Sequence, residues 1–172
     1  MPSVSVRDVL RLALPPGTAV AAGSAGLGRQ VSWVATLRAT LPAFAELRGG
    51  ELALLAVEAA LALDARLSLA TLVRRLAQAP VPVAGVVALG AITPDDVAAA
   101  EEARLPLLQL PERADLREVE REIARLVTDY EAQFERRGAQ LYDLLTQRSL
   151  AGQGVAGLLD ALAERTGQSV AC

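Results

Sequence analysis

Three glycines, Gly23, Gly26 and Gly28, close a short alternating run and open the stretch GLGRQVSWV. A glycine-rich turn can bring backbone amides onto a phosphate when it lies between a strand and the first turn of a helix. Here the order is G-x-x-G-x-G, the reverse of the dinucleotide fingerprint, and the residues after Gly28 alternate as a strand does. The spacing therefore predicts a turn that needs positive φ, with Arg29 exposed beside it. A second pair, Gly49-Gly50, precedes Glu51 at the mouth of an apolar run. Two glycines there either let the backbone approach a ligand closely or make a tight turn into a sheet. Asp95-Asp96 fall in the first turn of a helix, where negative charge complements the dipole, and no third metal ligand stands near them. Arg74-Arg75 and Arg136-Arg137 read as solvated helix faces. Trp33, the single tryptophan, lies on a strand and reads as core or interface before ligand platform.

The residue types that are missing narrow the chemistry further. The 172-residue chain has no histidine, all 17 of its basic residues are arginine, and its one cysteine is Cys172. There is thus no Ser-His-Asp relay, no imidazole ligand and no histidine switch. A Schiff base and a Walker A loop need lysine, and a lone cysteine makes neither an internal disulfide nor a thiolate metal site. No catalytic residue, metal or cofactor is assigned, and the chain is read as a non-enzyme. A net charge of -3 gives no electrostatic footprint for nucleic acid. Apolar residues make up 52% of the chain and aromatics 3%, so the core must be aliphatic. Charges interrupt every apolar run short of a membrane span, and the N-terminus has no signal-peptide pattern. These features imply a soluble, cytoplasmic protein.

The elements that must position these residues alternate in type. SVRDVLRLAL is a helix, with Ser5 as its N-cap and Asp8 in the capping-box position, stopped by Pro15-Pro16-Gly17. Residues 18–22 and VSWVATL are short strands, the second with Val31, Trp33 and Ala35 on one face. LPAFAEL makes a helical turn from about Pro42. ELALLAV, residues 51–57, suits a strand buried on both faces. SLATLVRRLAQA is a helix capped by Ser68, VAGVVALG a strand, and TPDDVAAAEEA a helix with Thr93 as N-cap and Pro94 at its first position. LPLLQLP is a last strand. Two successive strand-helix-strand units imply three parallel strands with right-handed crossovers. Residues 1–112 are expected to form an α/β domain with a mixed sheet of about five strands and flanking helices.

Beyond Pro111 the pattern changes. Apolar residues recur at spacings of three and four from Leu116 to Leu144, predicting a helix of ~35 residues over 113–150, about 50 Å long. Its apolar stripe calls for a partner surface, and a coiled coil with a second copy supplies one. Ile123, Val127, Tyr130, Phe134, Leu141 and Leu144 are assigned to that dimer seam, with Arg137 and Gly138 interrupting it. Residues 151–172 hold a further short amphipathic helix and then QSVAC, which reads as the first residues of a strand and hence as the start of a further, truncated domain. In open α/β sheets ligands bind beyond the carboxyl ends of the strands, an edge that carries Val57-Glu58, Gly90-Ala91 and Pro111-Glu112. The candidate ligand-binding residues are Arg38, Gly49, Gly50, Glu51, Glu58 and Gly90.

The ordered set VSVRDVLRL, GLGRQVSWV, LRGGELALL, GVVALG and LPLLQLP resembles the N-terminal domain of the PucR family of bacterial transcription regulators, over about residues 3–125. LYDLLTQRSLAGQGVAGLLDALAERTGQSV resembles the region that follows this domain in many members. The resemblance implies an effector-sensing domain, a middle region and a C-terminal helix-turn-helix, so that DNA is bound only through a segment outside these residues. It also implies a small-molecule metabolite as effector. Gly26, Leu27, Arg29, Trp33, Gly49, Gly50 and Glu51 match residue for residue and look architectural. Members usually carry an acidic residue shortly after the Trp-Val pair, where this chain has Leu37 and Arg38. They often carry Thr-Thr-Gly where it reads Leu55-Ala56-Val57. The departure implies a different effector or a lost pocket. The competing expectation is a ligand-free scaffold that docks a partner or its own twin.

Overall fold

The computed structural model describes residues 3–38, 44 and 47–150. The expected helical turn near Pro42 and the short helix and strand of 151–172 lie outside the described residues. The elements run α1 (Val6–Leu12), β1 (Ala19–Ala22), a single 3-10 turn (Ser24–Gly26), β2 (Trp33–Thr36), β3 (Glu51–Ala56), α2 (Val57–Leu63), α3 (Leu69–Ala77), β4 (Gly85–Leu89), α4 (Pro94–Glu102), β5 (Leu107–Leu110) and α5 (Leu116–Leu150). The strands form one mixed sheet in the order β1-β5-β4-β3-β2. β2 to β5 are mutually parallel and β1 closes the far edge antiparallel to β5. Among the described residues the protein is thus α/β with five strands, as expected. α2 is an addition: the apolar run ELALLAV passes from strand to helix at Val57 with no glycine, proline or capping side chain to mark the change.

Each helix start with a side-chain signal keeps it. Ser5 caps α1 and Thr93 caps α4, both in full capping boxes with Asp8 and Asp96, and Ser68 caps α3. In α1 the Asp8 carboxylate accepts hydrogen bonds from the Ser5 hydroxyl and the Ser5 N–H. Those bonds, the hydroxyl's first, hold Asp8 below its ordinary value of 3.8, aided by Arg11 and Arg7. A depressed carboxylate stabilises the fold above its unfolded value and loses that contribution as pH falls through the folded value. An Asp8→Asn variant should therefore be less stable than wild type above pH 3.8 and converge with it in more acidic solution, in chemical denaturation followed across pH.

The two faces of the sheet are covered differently. Ala53, Leu55, Val86, Ala88 and Leu107 face α2, α3 and α4. Val34, Leu52, Leu54, Val87, Leu108 and Leu110 face α1 and the first turns of α5, which bring Val6, Val9, Val119, Ile123 and Val127. Two compact units result, Met1–Asp129 and Tyr130–Cys172. The first takes in α5 as far as Asp129, beyond the expected boundary at residue 112.

This packing corrects part of the expected dimer seam. Ile123 and Val127 are 0% and 2% exposed because the chain's own sheet covers them, so neither has surface left for a second copy. The stripe was read rightly as apolar; its first partner is the strand layer beside it. Tyr130 is 38% exposed, and the side chains of Phe134, Leu141 and Leu144 lie outside the described ones.

Candidate functional site

The stretch GLGRQVSWV is a strap across the amino ends of the strands. Gly23 and Gly26 lie against Leu105, Pro106 and Arg104, just before β5. Arg29 Nη1 donates to the Val83 carbonyl, just before β4, at 3.1 Å, and Ser32 N–H donates to the Gly50 carbonyl, just before β3, at 2.8 Å. The carbonyls of Arg29 and Leu27 accept from the N–H groups of Val6 and Arg7 at 3.0 and 2.9 Å. Those are the first-turn amides of α1, the groups a phosphate would need. The loop's carbonyls occupy them, and the loop itself leads into β2, not a helix, as the spacing predicts. Arg29, expected to be exposed, is half-buried and engaged.

The six candidate ligand residues divide between opposite ends of the sheet. Gly49, Gly50 and Glu51 stand at the amino end of β3. Gly50 adopts φ +79, and a side chain there would press on Ser32. Glu51 is 6% exposed: its Oε1 accepts from the Arg48 N–H at 2.6 Å and its Oε2 from the Gly49 N–H at 2.9 Å. Both oxygens are used within the turn, so the tight-turn alternative holds for these three. Glu51→Ala strands two amides and should cost about 1–3 kcal/mol, with Glu51→Gln, which keeps one acceptor, falling between it and wild type in thermal unfolding.

Arg38, Glu58 and Gly90 stand at the other end, just past β2, β3 and β4. There the connections diverge: the chain leaves β4 for α4 on one face and leaves β5 for α5 on the other. In open α/β sheets, ligands bind beyond the carboxyl ends of neighbouring strands whose connections part in this way. Gln109 of β5 links the ends of β4 and β5, its Nε2 donating to the Gly90 carbonyl at 3.0 Å. Gln109 was not among the sequence candidates. Its one signal was a polar residue inside LPLLQLP, on the face where β3 and β4 carry Ala53, Leu55, Val86 and Ala88.

On the α5 side of the same β5 end lies a groove of about 400 Å³, lined by Leu12 to Pro16, Arg113 to Asp115, Glu118, Val119 and Glu122. The other polar groups singled out have local work. Asp96 is buried in the α4 capping box, and Asp95 pairs with Arg74 at 3.0 Å across α3 and α4, so that Arg74 is not simply solvated. Trp33 is 51% exposed on the β2 edge, contrary to a core role. Among the described residues no group of three His, Cys, Asp or Glu could hold a metal ion, and no helix is long and apolar enough to cross a membrane.

A family model described as "Purine catabolism regulatory protein-like family" matches residues 8–127. The chain belongs to this PucR family. The match runs from α1 to Val127, the last α5 residue buried on the sheet among the described ones. The PucR domain of this chain therefore includes the docked turns of α5. The matched range includes the strap and the Gly-Gly-Glu turn, which hold the amino end of the sheet together. PucR is a regulatory family, which agrees with the reading of the chain as a non-enzyme. No curated protein matches the chain.

Proposed function

We propose that this chain senses a small metabolite in the cytoplasm for a bacterial transcription regulator and transmits the signal along α5 in a homodimer. The observation that carries the reading is the path of the chain at the β5 end. The strand ends at Gly90 and Pro111 lead within a few residues into α5, whose Val119, Ile123 and Val127 are packed on the same sheet. A ligand that prefers one arrangement of the β5–α5 turn would bias the helix by its difference in affinity for the two arrangements. Arg38, Glu58, Gly90 and Gln109, at or beside the carboxyl ends of β2 to β5, would meet it. The helix beyond Tyr130 pairs with a second copy, using Tyr130, Phe134, Leu141 and Leu144. DNA recognition falls to a segment other than this acidic domain.

A thermal-shift panel of metabolites tests the sensing half. A specific ligand raises the melting temperature by mass action, and the rise should be lost in Gln109→Leu. A rise that survives in that variant would put the site elsewhere. Sedimentation tests the pairing half: Phe134→Asp should lower the mass to that of a monomer.

The scaffold reading keeps one specific observation. A side chain added at Gly90 would meet Val57 at 3.2 Å, so a branched apolar side chain stands against Gly90 at the position where the resemblance puts glycine. A tight dimer that responds to no metabolite would favour it.

A further inference from the structure

Leu12 ends α1 and is 70% exposed, a large aliphatic side chain in water. It lines two grooves at once. One is the 400 Å³ groove along the start of α5. The other, of about 310 Å³, continues it past Glu122, Arg125, Leu126 and Asp129. An apolar knob and its own receiving grooves thus share one patch, the condition for a two-fold contact in which each copy presents the same surface. The charges beside the patch are also arranged in two signs. Arg113 lines the same groove; α1 presents Arg7 and Arg11, both exposed, and the groove wall at the start of α5 presents Asp115 and Glu118, both exposed. None of these four is in a salt bridge among the described residues, whereas Glu122 and Asp129 are engaged by Arg125 at 3.9 and 3.5 Å. A two-fold axis near Leu12 would lay the basic helix of one copy along the acidic wall of the other.

We propose that a second copy of this chain docks here, Leu12 of each seated in the grooves of its partner, with Arg11 set against Glu118 across the axis. The contact rests on the homodimer reading above but uses a different surface, and separate variants tell the two apart.

The test is sedimentation equilibrium of the full chain, with thermal unfolding as a control for folding. Leu12→Asp should weaken association at least tenfold, as loss of a central anchor does, while leaving the melting temperature of the monomer unchanged. Arg11→Glu and Glu118→Arg should each weaken it several-fold, and the double variant should recover most of the loss, since the swapped charges again meet opposite signs. Unchanged association in Leu12→Asp, or single charge variants that weaken without recovery in the double, would overturn the proposal. If Phe134→Asp yields monomers while Leu12→Asp does not, the helix pairing stands and this contact falls; the converse leaves this contact and removes the helix seam. A wild-type monomer overturns both. A monomer stabilised by a free polyamine such as spermidine would assign the acidic groove to a small cation instead.

Discussion

Ile123→Ala will lower the stability of the globular unit by about 2–5 kcal/mol, the range for emptying a fully buried branched aliphatic site. Ile123 is one of the largest side chains with no exposure at all, and it stands where α5 crosses the strand layer of Leu52, Leu54, Val87 and Leu108. For a domain of this size the loss should appear as a fall of roughly 10 °C or more in melting temperature. Arg121→Ala, two residues away on the exposed face of the helix, should stay within about 0.5 kcal/mol of wild type. The dependence on protein concentration decides between the two placements of Ile123. A side chain buried in its own domain gives a loss independent of concentration, whereas a side chain at a seam between copies gives one that grows on dilution. A stable Ile123→Ala domain that no longer associates would return this residue to the seam.

Gly23→Ala should damage the fold on the same scale through the backbone. Gly23 has φ +67, and a Cβ there would overlap the backbone carbonyl of Leu105 and lie 2.8 Å from the Pro106 nitrogen. The left-handed conformation alone costs an alanine about 1 kcal/mol or more. The collision adds to it, because Leu105 and Pro106 lead directly into β5 and cannot withdraw without moving that strand. The Gly23 N–H is also held by Glu101 Oε1 at 2.8 Å, so a shifted turn loses that bond as well. A total on the order of 3 kcal/mol or more is expected, read as a lowered denaturation midpoint. Gly28→Ala is the matched control: its Cβ would meet nothing within 4 Å and its φ is not positive, so it should be close to neutral. Equal effects at the two glycines would mean that the strap does not press on the entry to β5.

The pair of predictions also marks where sequence reasoning reached its limit. That the G-x-x-G-x-G run makes a turn needing positive φ was legible; that Gly23 alone of the three adopts it was not. What the glycine approaches was not, because Leu105 is about eighty residues away in the chain. Likewise the apolar stripe from Leu116 was visible as a period, and a period carries no address. Val119, Ile123 and Val127 could be covered by a twin or by the chain's own sheet, and both satisfy the same spacing. Gln109 escaped notice for a related reason: one polar residue in an apolar strand looks like a surface position until its neighbours on β3 and β4 are known.

What the sequence determined by itself is local. Ser5, Ser68 and Thr93 mark helix starts, because a cap and the amides it satisfies lie within three residues. The alternation of apolar runs with amphipathic segments sets the parallel core β3-β4-β5, because short crossovers leave little choice of neighbour. The absence of histidine and lysine excludes whole classes of chemistry without any structure. The tertiary structure alone decided the rest: that the glycine strap consumes the first amides of α1, that Gly49, Gly50 and Glu51 stand at the opposite sheet end from Arg38, Glu58 and Gly90, and that α5 begins as part of the domain. Each of these depends on which distant surfaces meet, and burial of apolar area, which drives the meeting, has no direction along the chain.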